Sequence, residues 1–145
     1  MKNSNRIISK LAFGAIFLTG ASFLFASYVP FTQGKDDKWV APASSDKAVN
    51  PQASNEKNLA AGKEIFNSTC ATCHGKKGKG DGPKTAELEK TVPDFTKGAL
   101  SKQTDGALFW KITEGRKPMP SFKKDLTEEQ RWLVINYCKE LCAKK

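Results

Sequence analysis

The sequence predicts an all-α domain of about ninety residues, and three observations predict it. Apolar residues recur at helical spacing in three separate segments. No stretch alternates as a strand does. A folded part this small also needs a staple beside its core, such as a metal, a disulfide or a bound cofactor.

Taken in order, the chain of 145 residues opens with Lys2, Arg6 and Lys10 and no acid in its first ten positions. No charged residue then occurs from Leu11 to Gly34, and "LAFGAIFLTGASFLFA" is strongly apolar. Residues 1–27 therefore read as an export signal, or as a retained membrane anchor, since a span needs roughly 20 apolar residues. Small residues at Thr19, Ala21 and Ala26 offer cleavage points, and the polar Thr19, Ser22 and Ser27 favour cleavage. Either way the remainder works outside the cytoplasm. Residues 28–57, rich in Lys, Asp, Ser, Asn and Ala, read as a flexible linker that buries too little to fold alone. Within it only "WVAP", with Trp39 and Val40, offers a segment to dock onto the domain.

Residues 58–145 form the predicted folded domain. "NLAAGKEIFNSTC" sets Leu59, Gly62, Ile65, Phe66 and Thr69 at helical spacing, and Gly75, Gly78, Gly80 and Gly82 then mark a loop. A shorter helix is expected from Asp105 to Glu114, stopped by Gly115. In "LTEEQRWLVINYCKEL" Thr127 and Gln130 form a capping-box signature. Trp132, Ile135, Cys138 and Leu141 follow on one helical stripe.

Chemistry concentrates in "CATCHGKKGKGDGP", Cys70 to Pro83, which holds the only histidine. A redox-active dithiol needs a strand before the first thiol and a helix after it, and here the helix comes first. Zinc needs four ligands, and the second cysteine pair, Cys138 and Cys142, lies four apart inside a helical pattern where it closes a tetrahedron only with distortion. Covalent haem attachment accounts for the whole motif. Two thiols at a helix end bond the vinyl carbons, and the next residue, His74, falls beneath the iron. For the opposite iron position histidine is exhausted, and Met119 in "KPMPSF" is the only methionine besides Met1. The prolines on either side stiffen that loop.

With these residues in view, Leu59 to Leu141 resembles a class I (mitochondrial-type) c-type cytochrome. Gly62 and Phe66 in "GKEIF", Tyr137 in "NYCKEL", the "PMP" loop and the Gly82–Pro83 pair carry the resemblance. "GKGDGP", "PDFT", "TDGALFWKITEGRKPMPSF" and "RWLVINY" are similar to small exported monohaem cytochromes of bacterial respiratory chains. The resemblance implies a class I cytochrome c fold, N- and C-terminal helices crossing around one covalently bound haem c. It implies that Cys70, Cys73, His74, Pro83 and Met119 hold the haem, with His74 and Met119 on the iron. It assigns the Pro83 carbonyl as acceptor for the His74 Nδ1 proton. Phe95, Leu108, Trp110, Ile112 and Phe122 are available as haem walls or as core. Where the family usually has an aliphatic residue this chain has Cys138, which either bonds Cys142 or remains a buried thiol.

Function follows from such a site. With both axial positions filled the iron transfers electrons and binds nothing, so the expected role is a respiratory electron carrier and not an enzyme. Removing the first 26 residues, with three basic and no acidic side chains, leaves 21 basic against 15 acidic. Lys76, Lys77, Lys79 and Lys84 follow the attachment site, and Arg116, Lys117, Lys123 and Lys124 flank Met119. Both groups are expected to border the haem edge and to dock a monomer onto acidic patches of membrane-bound donor and acceptor complexes. Nucleic acid is excluded as a partner by the lack of an aromatic-interleaved basic strip. Two other readings keep the same fold: an electron-entry subunit tethered in a larger complex, and an open-site haem protein that binds gas or peroxide.

Overall fold

A computed structural model of the chain describes residues 38–143, so the export segment expected over 1–27 lies outside the described residues. Four α-helices order them: α1 (Glu56–Ile65), α2 (Ala71–His74), α3 (Asp105–Glu114) and α4 (Glu128–Ala143). A π turn, Phe66–Cys70, joins α1 to α2, and single 3-10 turns occur at Ala43–Lys47, Pro83–Glu87 and Phe95–Lys97. Among the described residues there is no strand, and an isolated antiparallel bridge pairs Arg116 with Met119.

The helix ends follow from local chemistry. Asn55 caps α1 by accepting from the Asn58 amide at 2.9 Å, satisfying a donor that the first turn leaves without a partner. Thr104 caps α3 in the same way through the Ala107 amide, 3.0 Å away, and Gly115 ends it at φ +66°. The capping box at α4 forms in both directions: the Gln130 amide donates to Thr127 Oγ1 at 3.2 Å, and the Thr127 amide to Gln130 Oε1 at 2.9 Å.

α1 crosses α4 at Gly62. A Cβ there would stand 2.2 Å from the Leu133 carbonyl oxygen, so only glycine lets the two backbones approach this closely. One turn on, the Phe66 ring meets Tyr137 edge to face at 5.3 Å. Phe66, Val134 and Ile135 are fully buried in this crossing. The glycine and aromatic positions of the resemblance thus meet as expected, in an all-α class I cytochrome c fold.

Residues 38–55, expected as part of a free linker, instead lie along the domain as a strap. Large apolar burial is indeed absent, since Val40 and Val49 are exposed. Polar pairing and close backbone approach do the work. Asn50 Nδ2 donates to Asn136 Oδ1 at 2.9 Å and to the Trp132 carbonyl at 3.3 Å, and Asn136 Nδ2 donates to the Gln52 carbonyl at 3.0 Å. Thr104 Oγ1 donates to Asp46 at 2.6 Å. On α3, Gly106 admits the strap so closely that a Cβ would lie 1.9 Å from the Ser45 carbonyl oxygen. Trp39, at the start of the strap, packs edge to face on Trp110 at 6.4 Å.

Candidate haem-attachment site

The π turn and α2 deliver the motif in one piece. Cys70 closes the turn, Cys73 lies within α2 and His74 is its last residue. Gly75, at φ +73°, stops the helix. The glycine loop then folds back to satisfy the helix-end carbonyls, the Gly80 amide donating to His74 at 2.9 Å and the Gly82 amide to Cys73 at 3.2 Å. Cys70 and Cys73 are half-buried free thiols. Burial, and secondarily the neighbouring Cys73, push the Cys70 thiol up to about 12.

The His74 ring stacks on Phe95 at 4.7 Å and lies 6.5 Å from Phe66. Burial lowers its pKa to about 4, so the imidazole is neutral near pH 7 and keeps a lone pair for a metal. Its Nδ1 is buried with no hydrogen-bond partner. The bond to the Pro83 carbonyl that the resemblance implies is therefore not made; Pro83 is exposed and opens a 3-10 turn. Two free thiols at a helix end, followed directly by a neutral imidazole, are a donor set that fits a covalently held, iron-bearing porphyrin.

Met119 sits half-buried in a tight turn that hangs from the end of α3. The Arg116 and Met119 amides each donate to the other's carbonyl at 2.9 Å, and the Lys117–Pro118 peptide between them is cis. Beyond the turn, the Phe122 amide donates to Ile112 at 3.0 Å and Ser121 Oγ to the Thr113 carbonyl at 2.6 Å. Of the wall candidates, Phe95, Leu108 and Phe122 are buried, and Ile112 packs against the core. Trp110 is instead engaged by the strap through Trp39.

Sequence reasoning missed Arg131. It is buried on α4, its guanidinium 5.0 Å over Phe109, and Nη1 donates to the carbonyls of Lys123 and Leu126. It ties the segment after Met119 to the last helix. A charged residue next to Trp132 on a helix reads as solvated face, and only the missing polar partners of the loop could have signalled otherwise. Cys138 and Cys142 are both free thiols, Cys138 buried.

A helical fold that crosses at Gly62 and presents Cys70, Cys73 and His74 from one helix end is that of a monohaem c-type cytochrome. Comparison with known proteins gives the particular family. The family described as "Cytochrome C oxidase, cbb3-type, subunit III" matches residues 57–138, more than half of the chain, and the chain belongs to it. Cytochrome c6 of Leptolyngbya boryana is 34% identical over 81 residues, 55% of this chain and 88% of that protein. Cytochrome c6 of Anabaena variabilis is 39% identical over 80 residues, 52% of this chain and 83% of that one. Among solved structures, a chain of the Kuenenia stuttgartiensis reducing HAO-like protein complex is similar at a TM-score of 0.57 and 33% identity, over 63% of this chain. This protein spans 46% of that longer chain. The protein thus holds one covalently bound haem c with its iron.

Proposed function

We propose that this protein is an exported electron carrier of a respiratory chain, with His74 and Met119 on the two axial positions of the iron. The observation that carries the reading is the pairing of a neutral, half-buried His74, directly behind two free thiols at one helix end, with a single methionine held half-buried in a hydrogen-bonded turn. Haem c, when bound, supplies a one-electron iron centre. Cys70 and Cys73 tether it through thioethers, and His74 gives nitrogen to the iron. Phe95 holds the imidazole face against rotation. Met119 closes the other side with a soft thioether, which in an apolar shell favours the ferrous state. With both sides closed the protein passes electrons and is not an enzyme.

The test is the absorption spectrum of the dithionite-reduced protein before and after carbon monoxide. An unchanged low-spin c-type spectrum is expected for the natural protein, and a carbon monoxide shift for Met119→Ala. A shift in the natural protein overturns the ligand pair and favours an open-site haem protein.

The lysines at 76, 77, 79 and 84 and those at 117, 123 and 124 are exposed. They support docking of a monomer on acidic patches of membrane-bound donor and acceptor complexes. Export rests on the charge-free apolar run at the N-terminus. Among the described residues no helix is long and apolar enough to cross a membrane. A second reading, an electron-entry subunit tethered in a larger complex, is favoured by the oxidase-subunit description of the family and by the complex to which the similar solved chain belongs. Membrane fractionation with N-terminal sequencing separates the two: an intact leader in the membrane fraction selects the subunit, a processed soluble chain the shuttle.

A further inference from the structure

The strap begins, at Trp39, beside the base of the methionine turn. The Trp39 ring has Lys111 Nζ 5.5 Å from its centre and Arg116 Cζ 5.3 Å from its centre, with Trp110 edge-on at 6.4 Å. An aromatic face attracts such cations through its quadrupole. Arg116 is the residue whose backbone exchanges both hydrogen bonds with Met119, so whatever fixes Arg116 fixes the base of the turn. Lys111 Nζ also donates to Gln103 Oε1 at 2.5 Å, and burial first, then the charges of Arg116 and Lys38, lower its pKa.

The rest of the strap bears on the same point. Its 3-10 turn at Ala43–Lys47 is seated on α3 at Gly106, where a side chain cannot be accommodated, and Asp46 takes the Thr104 hydroxyl at the start of that helix. α3 runs directly into the turn through Gly115. The strap therefore grips both ends of the element from which Met119 hangs, at Thr104 and Gly106 near its start and at Lys111 and Arg116 near its finish.

We propose that residues 38–55 act as a positioning strap in which Trp39, through Arg116, holds the Met119 turn closed over the iron and so sets how readily outside ligands enter. The proposal rests on the assignment of Met119 as iron ligand. A closed state favoured by the strap lowers the apparent affinity of any competitor for the sulfur's position by the fraction of molecules that are open.

The experiment uses the full-length, haem-loaded protein in its ferric form. Imidazole is titrated as the competing ligand, and the weak red charge-transfer band of a thioether–iron bond is followed. For Trp39→Ala the apparent imidazole affinity is expected to rise roughly three- to tenfold. Trp39→Phe, which keeps an aromatic face, is expected to retain most of the closure. Gly106→Ala, which lifts the strap from α3 without touching Trp39 or Met119, is expected to raise the affinity as well. Thr127→Ala removes the α4 cap and serves as a control for general loss of stability. If the band is present in the natural protein and the affinity is unmoved in Trp39→Ala and Gly106→Ala, the strap proposal alone is overturned. An equal rise in Thr127→Ala also overturns it, because closure would then follow overall stability. If the natural protein shows no band, the Met119 assignment fails and the proposal falls with it.

Discussion

Cys138 occupies a place on α4 where an apolar side chain packs, and its thiol behaves as one. Burial holds its pKa well above the ordinary 9.0. A thiol that is harder to ionise when folded makes the native state retain a proton that the unfolded chain releases. The stability this contributes is complete below about pH 9 and is lost as pH rises above it, by about 1.4 kcal/mol per pH unit. Denaturation of the haem-loaded protein between pH 8 and pH 11 should therefore show a steeper loss for the natural protein than for Cys138→Val. Equal slopes would place the thiol in contact with water. Of the cysteine pair four apart in sequence, Cys138 is buried and Cys142 half-buried. The motif from Cys70 to His74 was legible because covalent attachment constrains consecutive residues. Arg131 was not, because its partners are carbonyls of a loop, which any sequence supplies.

At the level of elements, boundaries were readable wherever a side chain satisfies its own backbone. Thr127 with Gln130, and Gly115 after α3, act within four residues, so α3 and the start of α4 stand where the sequence places them. The strap was not readable, since its partners are distant. Asn50 and Asn136 are 86 positions apart and neither belongs to a hydrophobic pattern. Composition correctly indicates that residues 38–55 cannot make a core, but a segment without a core of its own can still be held by someone else's polar groups. Asn136 is the centre of that attachment, accepting from Asn50 and donating to Gln52. Asn136→Ala leaves those groups unpaired and is expected to cost roughly 1–3 kcal/mol in the unfolding free energy of the haem-loaded protein. A loss below a few tenths of a kcal/mol would mean that water replaces the amide without penalty.

For the whole molecule, the basic surface acts on encounter more than on fold. Exposed lysines follow the haem-attachment motif and flank the methionine turn, so the electron-transfer rate to an acidic partner should fall on the order of tenfold when salt is raised from about 0.01 M to about 0.15 M. A rate independent of salt would leave these lysines as ordinary solvated surface. One further consequence belongs to the way the methionine turn is hung. Gly115 bonds back to Lys111 and Phe122 bonds back to Ile112, so the segment from 115 to 122 is a closed bight whose neck is stitched to a helix. With Met119 on the iron as proposed, departure of its sulfur would be confined to the bight, with both stitches intact and the helices beneath undisturbed. A molecule so built would exchange that ligand the way a latch lifts, locally and repeatedly, without any step on the road to unfolding.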